Sequence, residues 1–414
     1  MSTDKNRSFC LVAFFICVHL CSSVANYSFC GSLTTLDGRS FDGDVKVASR
    51  DALVVSPKGG STTRVELSNV LWASFISSSD PIPDVPMSKG VVMADGSALA
   101  CESLLRADTD IVRLDATGAD GRNVVVKTAD VARIVLAALP AELLKRVPPG
   151  AHGGVLLDGG DFVEGEFRGI DGGKVRISSV LFGLQSFDAG RQAVAVILRD
   201  AHDPDAPLVA RLANGSVLAG KTVSFERGIT AISVEDQHFG TIVAPVKDLI
   251  DVRAGGERLM SLADLKPGAT GTPPSNGSKP YAIDATTCGT PPSLLGLVPR
   301  RSIGQANGAS LSFDLGDGQQ YTSLVARAGV PAALVPAGRA RFVVMVDGAE
   351  KFKSEGRTSV DDPLAVAVSL KGAKSLTLRV EPADASDADR ATSAAPAGVW
   401  ADPILIRSAP TTRP

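Results

Sequence analysis

Hydrophobic and polar positions alternate in short runs along most of this chain, and Gly, Asp, Asn and Pro cut the runs apart. VKVASRDALVV, SLLRADTDIVRL, FRGIDGGKVRI and KTVSFERGITAISV in the first half all follow this pattern. So do SLSFDLGDGQQYTSLVARAGV, RFVVMVDGAEKFKSEG, GAKSLTLRV and VWADPILI near the end. Apolar residues at every second position mark strands with one buried face. Helical periodicity is scarce, and Ala141 to Val147 is the one short helix the pattern predicts, closed by Pro148-Pro149. The chain therefore reads as all-β, with a β-sandwich at its C-terminal end.

The strands of the first half recur as a degenerate repeat between residues 33 and 254. Each unit opens on a turn dipeptide with a small residue five positions on: Asp37-Gly38 to Gly43, Asp95-Gly96 to Cys101, Gly159-Gly160 to Gly165, and Asn214-Gly215 to Gly220. These dipeptides suit tight hairpins because they tolerate positive φ. Three units close with strand, short turn and strand, in RVELSNVLWASFI, VVVKTADVARIVL and TIVAPVKDLIDVRA, and the unit around Leu156 is the most degenerate. A period of about 60 residues with four or five strands predicts small barrels or curved sheets, with the strand spacing of Sm-like or SH3-like folds. Whether each unit closes its own core or two units pair is left open by the pattern. PIPDVP, Pro148-Pro149 and HDPDAP separate the units, and GATGTPPSNGSKP marks a longer spacer.

Length and composition narrow the function classes. At 414 residues the chain holds more than one domain. Hydrophobic residues make up 44% and charged ones 21%, with 41 Gly and 25 Pro, as suits a turn-rich β protein. A formal net charge of −3 supplies no single-sign field for nucleic acid or an anionic membrane. Lys5 and Arg7 precede an apolar run from Phe9 to Leu20, followed by Ser23-Val24-Ala25. That is the layout of a secretory signal over residues 1–25, and its removal leaves no transmembrane anchor. The expected location is secreted, periplasmic or cell-surface. Cys30, Cys101 and Cys288 remain after cleavage, and their number and spacing define neither a disulfide framework nor a zinc site.

Catalytic constellations are absent from the sequence. Four histidines are scattered as His19, His152, His202 and His238 without metal-ligand spacing. There is no G-x-S-x-G elbow, and the Gly-rich stretches lie between strands rather than before helices. The chain is read as non-enzymatic. Among carboxylates, Asp361-Asp362 reads as a loop, while Asp384, Asp387 and Asp389 form either a solvated loop or a calcium-binding loop, the one cofactor considered.

The order of the C-terminal pieces carries a family resemblance. Phe313 to Gly316 reads Phe-Asp-Leu-Gly, followed by Ala328 to Val330, Val346 to Gly348, Lys353 to Gly356, Gly372 to Leu378 and Trp400 to Asp402. Leu262 to Pro267 and Arg301 to Gly304 lead into the series. This series resembles the NPCBM/NEW2 family of carbohydrate-binding modules. The resemblance implies a jelly-roll-like sandwich and a glycan partner. Trp400, with Asp402 near it, is then either a sugar platform or a core anchor, and Tyr321, Arg339 and Arg341 are rim candidates. GQANGASLSFDLG lacks the family's Gly-x-Gly-x-His stretch, and the ending reads PAGVWAD, so the strand framework is matched more fully than the polar site.

The expected organisation is a signal peptide (1–25), repeats 1 and 2 (30–140), repeats 3 and 4 (150–254), a Pro/Gly-rich spacer (255–296) and an NPCBM-like sandwich (297–410). The expected function is exported, non-catalytic carbohydrate binding. The alternative is a structural or protein-interaction scaffold of the cell surface whose sugar site is lost.

Overall fold

The structure, a computed structural model, describes residues 30–407 except 58, 76–86, 117–122, 149, 151–152, 203, 205, 227–229, 257, 271–278, 291, 296, 298, 318–319, 332–338 and 384–397. The signal segment and Asp384, Asp387 and Asp389 lie outside the described residues. Nearly all regular structure is antiparallel β, and no helix among the described residues is long and apolar enough to cross a membrane.

Repeat 1 comprises β1 (Cys30–Thr35), β2 (Ser40–Ser49), β3 (Ala52–Ser56), β4 (Thr63–Glu66) and β5 (Val70–Ser74). Repeat 2 comprises β6 (Gly90–Met93), β7 (Ala98–Ala107), β8 (Ile111–Ala116), β9 (Asn123–Lys127) and β10 (Val131–Val135). Repeat 3 runs through β11 (Gly154–Leu157), β12 (Phe162–Glu164), β13 (Glu166–Asp171), β14 (Lys174–Ser179), β15 (Gly183–Asp188) and β16 (Ala193–Ile197). Repeat 4 holds β17 (Leu208–Leu212), β18 (Val217–Glu226), β19 (Ala231–Asp236), β20 (Gly240–Pro245) and β21 (Leu249–Ala254). Each is a meander whose last strand returns to pair with its first: β5 on β1, β10 on β6, β16 on β11 and β21 on β17. In repeat 1 the sheet runs β5-β1-β2-β3-β4 without pairing β4 to β5, so it curls without closing. In repeat 3 the long second strand is broken at Gly165.

The repeat signature has a steric basis. Gly38, Gly96, Gly160 and Gly215 adopt φ of 84 to 87° in the hairpin after each first strand, a region costly for residues with a Cβ. The small residue five positions on sits where the second strand is crowded. A Cβ on Gly43 would lie 2.5 Å from the Ser56 carbonyl oxygen, and one on Gly220 would lie 2.7 Å from Val234 Cγ1.

The repeats pair in a nested order that sequence adjacency does not suggest. β5 of repeat 1 pairs with β21 of repeat 4, through Asp251 opposite Ser74 and Arg253 opposite Trp72. β10 of repeat 2 pairs with β16 of repeat 3, through Arg133 opposite Ile197. A single apolar core draws on all four repeats, with Leu33, Leu114, Ile177 and Leu218 among its fully buried members. Repeats 2 and 4 are tied at a corner. There the Ala100 N–H donates to buried Ser216 Oγ (3.0 Å), and Asp95 accepts from Gln237 Nε2 (2.6 Å) with His238 Nε2 at 3.1 Å.

The C-terminal unit contains β22 (Leu259–Ser261), β23 (Gly268–Thr270), β24 (Tyr281–Ile283), β25 (Ser302–Gln305), β26 (Ser310–Asp314), β27 (Tyr321–Gly329), β28 (Ala340–Val346), β29 (Ala349–Lys353), β30 (Leu364–Ser369), β31 (Ser375–Pro382) and β32 (Gly398–Arg407). One sheet has the order β24-β25-β32-β27-β30 with β22 also on β32, and the other β23-β26-β31-β28-β29. Phe313, Phe342, Leu324, Leu378, Trp400 and Leu405 fill the space between them. The stretch expected as spacer, 255–296, contributes β22, β23 and β24 to the two sheets, so the sandwich begins near residue 259.

Candidate functional site

β32 is the strand that decides how the predicted site residues are used. Val399 and Ala401 face outward while Trp400 faces the core, and beyond Pro403 the order inverts, with Leu405 inward and Ile404 and Ile406 outward. The inversion is a bulge against β27: Arg327 pairs with Ala401 and Val325 with Ile404. The extra residue is accommodated by Asp402, at φ 44°, and by Pro403, which has no N–H to offer the ladder. Asp402 Oδ1 accepts from the backbone N–H groups of Arg300 (3.0 Å) and Arg301 (3.1 Å).

Trp400 is fully buried and offers no face to a ligand. Its Nε1–H donates to Gln305 Oε1 (2.7 Å), and its ring meets Phe342 edge-on with centroids 5.2 Å apart. Gln305, itself buried, donates onward to the carbonyls of Ala309 (2.7 Å) and Leu378 (2.9 Å), so the three residues tie the two sheets together. Of the two roles weighed for Trp400, the structure realises the core anchor. Tyr321 is also buried, with its hydroxyl on Met260 Sδ. Arg341 lies on the opposite sheet and donates to the Ala383 carbonyl (3.3 Å), and Arg339 donates to the Gly356 carbonyl (3.3 Å). Of these five residues, Asp402 alone lines the cavity at the junction with the repeats.

That cavity lies where the sandwich rests on the repeats. Nested pairing makes a continuous run β1-β5-β21-β17, and cross-strand partners put Thr34, Trp72, Arg253, Ser74, Asp251 and Arg211 on one face. The outward face of β27 and β32 covers this polar seam. Arg327 stacks over the Trp72 ring at 4.5 Å from its centroid and donates to Ser32 Oγ (3.0 Å). Leu294, Leu297, Val399 and Ala401 pack against Trp72 on one side. Leu71, Val325 and Ile406 form a second apolar contact with Leu36 and Ala254. Between the contacts remains a cavity of about 740 Å³, within the ~300–1,000 Å³ of small-ligand sites.

Five arginines line it, Arg211, Arg253, Arg300, Arg301 and Arg327, against three aspartates, Asp251, Asp264 and Asp402. Arg211 forks onto Asp251, with Nε at 3.0 and 2.8 Å from the two carboxylate oxygens. Burial disfavours the charged form of Arg211, yet the Asp251 hydrogen bonds and charge hold its pKa above the ordinary value. Burial pushes the Arg327 guanidinium below its ordinary value, opposed by the charges of Asp42 and Asp402. Burial also pushes the Asp402 carboxyl up, against the Arg301 and Arg300 backbone hydrogen bonds and the Arg300 and Arg327 charges. Arg301 pairs with Asp264 and with Asp284 (2.9 Å). The Arg253 Nε–H is buried with no hydrogen-bond partner. Among the described residues, no group of three or more His, Cys, Asp or Glu is arranged to hold a metal.

The sequence reading did not assemble Arg211, Arg253, Arg327 and Trp72, because they come from three separate units. The available signal was the alternation in LIDVRA, which places Asp251 and Arg253 on one face of their strand.

Residues 260–405 match the NPCBM/NEW2 domain, about a third of the chain. No curated protein sequence matches the chain. Among solved structures, similarity is found to CBM51 from Clostridium perfringens GH95 in complex with methyl-galactose (19% identity, 36% of this chain and 99% of that chain, TM-score 0.31). The tandem CBM51 modules of Sp3GH98 from Streptococcus pneumoniae SP3-BS71 give 13% identity over 77% of this chain and 88% of that chain, with TM-score 0.31. A CBM51-2 and INT fragment of Clostridium perfringens ZmpB, in complex with GlcNAc, gives 17% identity over 56% of this chain and TM-score 0.32, and the match spans only 44% of that chain. The sandwich assignment stands on the strand pairings, not on these overlaps.

Proposed function

We propose that this is an exported, non-catalytic protein that binds carbohydrate through its C-terminal module. The observation that carries the reading is the match of residues 260–405 to the NPCBM/NEW2 domain, in a stretch that folds as a complete two-sheet sandwich with its own core. The repeats serve as a rigid base: their seam strands and the outward face of the module share two apolar contacts and the Arg327–Trp72 stack. A platform of this kind fixes the module's orientation without contributing catalytic groups.

Glycan-array binding of the full chain tests the reading. Retention on one glycan class is expected. A folded chain retained on no glycan overturns it, and favours the scaffold alternative.

A further inference from the structure

We infer that the cavity between the repeats and the module is the ligand site, and that it takes a sugar bearing a carboxylate. The inference rests on the carbohydrate reading above and names its site and ligand class.

Charge is the first reason. The lining holds five guanidinium groups against three carboxylates, with no lysine, glutamate or histidine. The three carboxylates are already engaged. Asp251 is held by the Arg211 fork, Asp264 by Arg301, and Asp402 by two backbone N–H groups. Arg300 is exposed, Asp284 also answers Arg301, and the Asp42 charge acts on Arg327. The cation still to be answered is therefore Arg253, and burying a charge is costly unless a counter-ion meets it.

Three of the five arginines have side-chain partners around the cavity. Arg211 is committed to Asp251, Arg301 to Asp264 and Asp284, and Arg327 to Trp72 and Ser32. Arg253 stands beside Trp72 on the adjacent strand with a buried, unpartnered Nε–H. The side chain borders the cavity, and a guanidinium can also fork a carboxylate through its two terminal nitrogens. The fork is already used once on this face, one strand away, where Arg211 grips Asp251.

Shape and polarity are the second reason. Leu71, Val325, Ile404 and Trp72 give the lining apolar surface beside the hydroxyl-bearing Thr34 and Ser40. That mixture suits a ring with C–H faces and hydroxyl edges better than a bare inorganic anion. Asp264 and Arg300, both exposed, mark the rim through which such a ring enters.

Titration calorimetry of the full chain with 3′-sialyllactose, trigalacturonate and a hyaluronan tetrasaccharide, beside lactose and galactotriose, tests the inference. At least one acidic sugar is expected to bind at least tenfold more tightly than its neutral counterpart. Arg253→Gln should weaken that binding tenfold or more with an unchanged melting temperature, and Arg253→Lys should recover part of the loss. Neutral sugars bound as tightly as acidic ones, or binding indifferent to Arg253→Gln, would overturn the inference while leaving the carbohydrate reading intact. Citrate binding that depends on Arg253, with no sugar bound by calorimetry or on the glycan array, would overturn the sugar assignment and the carbohydrate reading together.

Discussion

The Arg327 Cζ lies over the Trp72 ring, 4.5 Å from its centroid, and joins the sandwich to the seam between repeats 1 and 4. Arg327 comes from the outward face of β27 and Trp72 from the last strand of repeat 1. Neither residue has this role within its own unit. The stack and the Ser32 hydrogen bond each contribute about 1–2 kcal/mol at a half-buried site. Arg327→Ala is therefore expected to cost roughly 2–3 kcal/mol. A thermal melt within the error of the wild type would show that the junction is held elsewhere.

Gly38 sits at the tip of the first hairpin, at φ 87°, and a Cβ there would lie 2.5 Å from the Ala367 Cβ on β30. Gly38→Ala should destabilise by about 1–3 kcal/mol, combining backbone strain with the clash. Ala367→Gly in the same chain removes the clash and leaves the strain. A double-mutant cycle should therefore show coupling of about 0.5 kcal/mol or more. Strict additivity would mean that the hairpin does not touch the module.

Asp402 contributes two hydrogen bonds and a charge, which substitutions can separate. Asn keeps an oxygen for the Arg300 and Arg301 N–H groups and tolerates the left-handed backbone, whereas Ala supplies neither. Asp402→Ala should cost about 2–4 kcal/mol. For the charge, burial raises the folded-state pKa above the ordinary 3.8, so the native state holds its proton more tightly than the unfolded chain. Ionised Asp402 thus costs stability above its folded pKa, and the cost is relieved as pH falls through that pKa toward 3.8. Asp402→Asn is expected to be at least as stable as the wild type at neutral pH, with the gap closing in acid. Denaturant melts at several pH values check the sign, and a gap that widens in acid contradicts it.

The thiols should differ sharply in reactivity. Cys101 is buried, and burial pushes its pKa up to about 11, with Lys89 opposing and Asp115 adding. Cys288 is exposed. Site-resolved mass spectrometry after labelling at pH 8 should find Cys288 modified in the native protein and Cys101 modified only in denaturant. Native labelling of Cys101 would mean that repeat 2 opens locally.

These tests fall on different levels of what the sequence made legible. Strand positions were readable because each repeat needs a glycine at positive φ after its first strand and a small residue where the second strand is crowded, as at Gly38 and Gly43. The C-terminal sandwich was readable from the order of its turns. The nested pairing was not, because a strand's alternation fixes which residues share a face but not which strand lies beside it. Arg253 meets Trp72 only through that pairing. The bulge at Asp402 was equally hidden: VWADPILI reads as one strand, yet the positive φ at Asp402 reverses its faces midway. That reversal leaves Trp400 in the core while Ile404 and Ile406 meet the repeats.

The chain has only two tryptophans, one bordering the cavity and one sealed in the core. Tryptophan emission during titration with the glycan selected on the array tests most directly where the ligand binds. The wild type should show a saturable change, and Trp72→Phe, which leaves Trp400 as the sole reporter, should be silent while staying folded. A full response in Trp72→Phe would contradict a site at the junction and place the ligand within reach of Trp400.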